Sequence, residues 1–159
     1  MTVIIFGSPN INGFTGRLLE NFLFDFPDKD IVTYNAYSIS ALPCIGCNAC
    51  KTRKCIYRDL DNLIYDIKRS DNIIIATPVY NFSVPSPLKA IFDRFQVFYN
   101  SPLTDKQRNV HLCITSGRSG KESIPMLLRM IECAIKPLNG KIINTTIQNF
   151  TDKENPNEN

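Results

Sequence analysis

Four cysteines fall close together as Cys44, Cys47, Cys50 and Cys55, a C-x2-C-x2-C-x4-C run. Thiols clustered this way ligate a metal, exchange disulfides or sit unused; core packing has no need to gather them. The run is one residue longer in its last gap than the C-x2-C-x2-C-x3-C spacing that holds iron–sulfur clusters. Short-spaced sets of four cysteines also take tetrahedral zinc. Lys51, Arg53, Lys54 and Arg58 surround the thiols; such cations stabilise thiolates or offset the charge of a cluster, although an ordinary solvated basic loop has the same composition. Cys47 and Arg53 also fit the C-x5-R spacing of a phosphatase loop, but no apolar strand leads into Cys47, and Lys54 stands where a hydroxyl residue is expected. Cys113 lies in an apolar run and Cys133 in a helical one, which predicts two core thiols. The single histidine, His111, opens a strand and reads as structural, leaving no evident Cys–His or Ser–His nucleophilic pair.

Three other segments have binding chemistry. Residues 8–15 are rich in small donors: Ser8, Asn10, Asn12, the Gly13 amide and Thr15. They run into a helix start, whose free amides and positive dipole end attract a phosphate; an ordinary helix cap would look similar. G-x-G-x-x-G and Gly-Lys-Ser/Thr are both absent, so this is neither a dinucleotide fingerprint nor a triphosphate loop. Residues 77–85 place Tyr80 and Phe82 between Pro78 and Pro85. Two aromatics in a stiff loop suit a planar heteroaromatic ligand, unless Phe82 turns back onto the core. In residues 116–120, Gly117 and Gly120 let backbone amides approach a ligand closely.

The elements that must position these groups are legible as an alternation. Residues 3–6, 31–34, 72–77, 110–115 and 140–147 read as five short apolar strands, the second near an edge because its surroundings are polar. Between them the spacing predicts helices over 14–24, from a cap at Asp59 or Asp61 through Ile67, around Leu88 to Phe95, and over 122–135. Strands separated by helices pair in parallel, and right-handed crossovers give an α/β doubly wound five-stranded sheet in order 2-1-3-4-5. Ligands bind such sheets beyond the carboxyl ends of the strands, where the three donor-rich loops meet. Residues 1–150 form one domain with a cysteine-rich loop at 43–55; the polar tail 151–159 has almost nothing to bury and is read as frayed.

At 159 residues and 43% apolar content the chain suits one globular domain. A net charge of +3 is too small and dispersed for a nucleic-acid partner. The first residues have no basic lead and too short an apolar run for a signal peptide or membrane span. The expected compartment is the cytoplasm, where clustered cysteines bind metal or do redox work.

Taken together, several pieces resemble the flavodoxin-like NAD(P)H-dependent FMN reductase family, and within it the iron–sulfur flavoprotein branch. They are Gly7-Ser8-Pro9 with Gly13 and Thr15; Pro43-Cys44-Ile45-Gly46-Cys47 with Cys50 and Cys55; Thr77-Pro78-Val79-Tyr80; and Pro87-Leu88-Lys89-Ala90-Ile91-Phe92-Asp93-Arg94. The resemblance spans about residues 3–120 in matching order. It implies a flavodoxin-like fold, non-covalent FMN, NAD(P)H as donor, and a homodimer or homotetramer. It further implies that Ser8, Asn10, Asn12, Gly13, Phe14 and Thr15 hold the phosphate end of FMN. Pro78, Val79, Tyr80, Asn81 and Phe82 would then wall its ring, and Ser116 and Gly117 would close the other side. Cys44, Cys47, Cys50 and Cys55 become candidate ligands of a [4Fe–4S] cluster, with unliganded or redox-active thiols as the alternative.

The implied function is an oxidoreductase passing electrons from NAD(P)H through FMN to a quinone, a free flavin or a redox protein, with no side chain acting as acid or base. A non-enzymatic electron carrier of flavodoxin type is the rival reading, and a metal-binding or regulatory module without flavin is a third. In the family a basic residue is common at the position of Asn10 and a polar one at Phe14, so phosphate here is left to neutral donors and the helix dipole. The chain also ends soon after its fifth strand, without the final helix usual in the family, which predicts a partner subunit over that face. Phe95, Val97, Phe98, Tyr99, Pro102 and Leu103 offer more apolar surface than one helix face buries and are expected to form the oligomer contact, unless Phe95 and Phe98 pack inward.

Overall fold

The computed structural model describes all residues except 29, 53, 118, 119, 150 and 153–159. The chain runs β1 (Thr2–Phe6), α1 (Phe14–Phe24), β2 (Ile31–Asn35), α2 (Ala36–Ile39), α3 (Asp61–Arg69), β3 (Asn72–Pro78), α4 (Ser86–Arg94), α5 (Gln96–Asn100), β4 (Arg108–Thr115), α6 (Gly120–Ile135) and β5 (Gly140–Gln148). All four strand pairings are parallel, in the order β2-β1-β3-β4-β5 that the alternation predicts. β1 is buried along its whole length and β2 lies at the sheet edge. That is why β1 reads as an unbroken apolar run, since a parallel strand covered on both faces has no solvent side to make polar.

Alternation along the strands divides the core. Ile5, Ile75 and Leu112 face Leu63, Ile67, Leu88, Leu127 and Ile131 from α3, α4 and α6. Ile4, Phe6, Ile74 and Cys113 face Leu19 of α1 and Phe26 beyond its end. Each such aliphatic or aromatic side chain contributes about 1.5–3 kcal/mol on burial.

Four sequence expectations are corrected. Phe95 and Phe98 are each 1% exposed, so these two leave the expected oligomer contact for the core, while Val97 and Leu103 are half-buried and Pro102 is exposed. The helix breaks at Phe95 (φ −67, ψ 0), and residues 92, 95 and 98 then stack on one side, with ring centroids 5.7 and 5.6 Å apart. Tyr99 does stay exposed, its hydroxyl donating to the Cys133 carbonyl. Cys133 is exposed rather than a core thiol. The buried stripe of α6 runs through Leu127, Ile131 and Ala134, and residue 133 falls beside it. Neither Asp59 nor Asp61 caps α3. Leu60 holds the cap position without a side-chain bond, Asp59 is drawn to Arg94 and Asp61 to Arg58. Finally, α2 was not anticipated; Asn35 starts it by accepting from the Tyr37 and Ser38 amides at 2.9 and 3.4 Å. Residues 153–159 of the expected frayed tail lie outside the described residues.

His111 is structural, as its strand position suggests. It is buried against the rings of Phe22 and Phe26, at centroid distances of 5.4 and 5.2 Å, and neither ring nitrogen finds a hydrogen-bond partner among the described residues. Burial lowers its pKa below the ordinary value of 6.5. Protonation is therefore harder in the folded chain than in the unfolded one. The folded state has full stability while the ring is neutral and loses it as pH falls below about 6.5 toward the lower folded value. Urea midpoints measured from pH 7.5 to pH 5 should fall more steeply for the native chain than for His111→Phe. Parallel curves would remove His111 as the cause.

Candidate functional site

The pairings Phe6↔Ala76 and Pro78↔Thr115 set the carboxyl ends of β1, β3 and β4 side by side. The Gly7 amide donates to the Ala76 carbonyl at 2.7 Å and the Val79 amide to the Thr115 carbonyl at 2.8 Å. Three of the sequence-predicted loops thus leave the sheet together, at the point where strand order reverses between β1 and β3. Crevices at such reversals are the ligand sites of open α/β sheets.

In the first loop, Ser8 Oγ lies 3.3 Å from both the amide and the carbonyl of Asn10, and Asn10 Oδ1 accepts from the Asn12 amide at 3.0 Å. These bonds close a compact turn that leaves the Asn10 and Asn12 side chains exposed. Gly13 precedes α1, and among the described residues no side chain caps the helix and no acidic residue sits in its first turn. The amides at the helix start and the positive end of its dipole are therefore uncompensated. Thr15 is buried, with Oγ1 2.7 Å from Thr115 Oγ1. One hydroxyl donates to the other, so the pair retains one proton for a further acceptor. Phe14 is half-buried beneath the Arg17 guanidinium, 5.2 Å from its ring centre.

Gly16 was missed as a site residue. A Cβ there would lie 1.7 Å from the Ile11 carbonyl oxygen. Only glycine lets residues 8–13 fold back over the start of α1. The available signal was a glycine inside an otherwise helical pattern.

In the second loop the Tyr80 and Ser83 backbones exchange hydrogen bonds of 2.8 and 2.9 Å across Asn81 (φ 49) and Phe82 (φ 62). Both central residues lie in the left-handed region, as in a type I′ turn. Phenylalanine is unusual there and stores about 1 kcal/mol or more of strain. The turn keeps Phe82 off the core: Tyr80 and Phe82 are each 47% exposed, beside the half-buried Pro78 and Val79.

In the third loop Ser116 is buried, its hydroxyl donating to Asn149 Oδ1 at 2.7 Å and its amide to the Gln148 carbonyl. Its hydroxyl proton is thus committed, and lone pairs are what it can still offer. Gly117 follows, close to the Asp152 carboxylate; Arg118 and Ser119 lie outside the described residues.

The cysteine loop stands apart. Cys44 and Cys47 are exposed, Cys50 and Cys55 half-buried, and all four are free thiols. Among the described residues no three metal-ligating side chains come together. The donor set suits a [4Fe–4S] cluster, but it is not arranged as a cage. Arg53 of the C-x5-R spacing lies outside the described residues. What organises the loop is Arg94 of α4, 2% exposed. Its Nη1 donates to the Leu42 carbonyl at 3.0 Å, its Nη2 to the Tyr57 carbonyl at 3.1 Å, and its fork holds both Asp59 oxygens at 2.7 and 3.2 Å. Its guanidinium also lies over the Tyr57 ring. Both stems of the loop therefore meet on one buried cation. Burial opposes the charge on Asp59, but the Arg94 bonds outweigh it and hold its carboxyl below the usual range.

The family model of NADPH-dependent FMN reductases matches residues 1–143. An iron–sulfur flavoprotein of Methanocaldococcus jannaschii is 38% identical over 94 residues, covering 57% of this chain and 49% of that protein. An FMN-dependent NADH:quinone oxidoreductase of Alteromonas mediterranea is 30% identical, covering 57% of this chain and 52% of that protein. The chain spans about half the length of the curated relatives it matches. In fold it is similar to an NAD(P)H:quinone oxidoreductase from Methanothermobacter marburgensis, with a TM-score of 0.67 at 16% identity over 93% of this chain and 81% of that one.

Proposed function

The chain belongs to the NADPH-dependent FMN reductase family, and from that premise we propose that it is an FMN-dependent oxidoreductase drawing hydride from NAD(P)H. Its electrons go to a small acceptor such as a quinone or free flavin, or to a redox protein. The observation that carries this reading is the uncapped start of α1 at the strand-order reversal, beside a strained turn that presents two aromatic rings. A phosphate fits the first feature and a flat heteroaromatic ring the second.

The division of labour follows from the side chains. The first-turn amides of α1, with Ser8, Asn10, Asn12 and Thr15 as neutral donors, hold the phosphate. Tyr80 and Phe82 shield one side of the ring, the Pro78–Asn81 backbone lies along its edge, and Ser116 and Gly117 close the far side. When bound, FMN supplies the hydride-accepting chemistry, and the protein contributes orientation and electrostatics. No side chain of the site is needed as an acid or base.

No helix among the described residues is long and apolar enough to cross a membrane, which is compatible with a cytoplasmic enzyme. Assembly as a homodimer or homotetramer rests on family membership alone now that Phe95 and Phe98 belong to the core. The four cysteines remain candidate cluster ligands by composition, and no step of the proposed reaction depends on them.

Titration of the apo-protein with FMN and with riboflavin tests the reading. Hydrogen bonds to a charged acceptor are worth about 1.5–3 kcal/mol each, so two amide bonds to phosphate favour FMN by roughly 100-fold or more. Equal affinity for the two ligands would sink the phosphate site and the function with it.

A further inference from the structure

Beside the cysteine loop lies a cleft of about 640 Å³, walled by that loop, α3 and α5. It belongs to none of the three loops assigned to FMN. Its rim is held in place, since Asn100 Nδ2 of α5 donates to Cys50 Sγ at 3.3 Å.

The charge lining it is lopsided. Lys51, Lys54 and Lys68 border the cleft, and among the described residues none of them makes an ion pair or side-chain hydrogen bond. Among the described residues the one carboxylate on the wall, Asp61, is already taken by Arg58. Three unneutralised ammonium groups around a concavity focus a positive potential into it. The floor has a different character: the half-buried Ile64 and Val97 and the exposed Tyr65 supply apolar and aromatic surface. The volume falls within the range of small-molecule sites, about 300–1,000 Å³.

We propose that this cleft is a second ligand site, selective for a small anionic aromatic molecule whose ring system lies against Ile64, Tyr65 and Val97 and whose acid group meets the three lysines. Cys50 and Cys55 also line the cleft, so an occupant covers those two thiols. Cys133, on α6, is not among the residues lining it and borders a different cleft. The inference does not require the FMN reading, because none of the lining residues belongs to the proposed flavin site.

The full chain is titrated by calorimetry with anthraquinone-2-sulfonate and with its uncharged analogue 2-hydroxymethylanthraquinone. Alkylation of each cysteine by neutral iodoacetamide is followed in parallel by mass spectrometry. The sulfonate should bind at least tenfold more tightly than the alcohol and weaken as salt is raised. It should slow alkylation of Cys50 and Cys55 while leaving Cys133 unchanged. The triple variant Lys51→Gln, Lys54→Gln, Lys68→Gln should lose at least tenfold in sulfonate affinity, and Lys141→Gln, which removes a charge elsewhere, should not. FMN affinity of the triple variant should match that of the native chain. Equal binding of sulfonate and alcohol, native affinity in the triple variant, or protection of Cys133 equal to that of Cys55 would overturn the proposal. So would parallel loss of FMN and sulfonate binding in the triple variant, because the two sites would then be one. A chain that takes no FMN but passes these tests would instead overturn the proposed function and leave the cleft standing.

Discussion

Arg94→Leu should lower the thermal midpoint by about 6–12 °C and open the cysteine loop to protease while the sheet stays protected. The leucine side chain satisfies the apolar surroundings but none of the polar ones. Two carbonyls, of Leu42 and Tyr57, lose their donor, and the Asp59 carboxylate loses its counter-ion. Removing one member of a buried pair costs about 3–5 kcal/mol when the remaining charge stays desolvated. Asp59 keeps 23% of its side-chain surface in water, which puts the cost near the low end, about 3 kcal/mol. At roughly 2–4 °C per kcal/mol for a chain of this size, the stated shift follows. Arg94→Lys should recover only part of it, because a single ammonium cannot span two carbonyls and a carboxylate as the planar fork does. Calorimetry with limited proteolysis between residues 42 and 57 checks both claims. An unchanged midpoint with an uncut loop would show that the loop is held by something other than this guanidinium.

Arg94 also marks the boundary of what local sequence can reveal. The five strands were legible because β1, β3 and β4 are apolar on both faces and the helices between them keep a regular stripe. The loops 8–15 and 77–85 were legible because small donors and paired aromatics are unusual next to apolar strands. The role of Arg94 was not, since its partners lie 35 to 52 residues away and nothing near it in the chain points to them. The same holds for the Thr15–Thr115 hydroxyl pair, 100 residues apart. The break at Phe95 escaped because residues 86–100 keep an apolar repeat on both sides of it. The left-handed turn was half legible: Asn81 is a residue that tolerates positive φ, but Phe82 gives no such signal. Gly16 was overlooked because a glycine in a helix reads first as a weak helix former, and the carbonyl packed against it appears only in three dimensions.

Gly16→Ala sets those two readings of the residue against each other. By helix propensity alone alanine should help, by about 1 kcal/mol in a helix interior. The close approach argues the opposite, since the new Cβ would sit 1.7 Å from the Ile11 oxygen and 2.7 Å from its carbonyl carbon. Backbone on both sides of the contact cannot rotate away as a side-chain tip would, so the 8–13 segment must shift by more than an ångström. Most of that segment is outside the core: Ile11 is 66% exposed and residues 9–12 are all exposed, with Ser8 the one buried residue. Stability is therefore expected to stay within about 1 kcal/mol of the native chain, the propensity gain offsetting the lost turn bonds. Binding has no such compensation. The displaced loop carries Ser8, Asn10 and Asn12 away from the α1 amides, and losing two bonds to a charged phosphate at about 1.5–3 kcal/mol each lowers FMN affinity by roughly 100-fold or more. Riboflavin, which presents no phosphate, should bind about as well as before. Paired calorimetric titrations and a urea melt read all three quantities. Native FMN affinity in the variant would show that the loop does not bind the phosphate, and a collapsed melt would show that residues 8–13 are tied into the core after all.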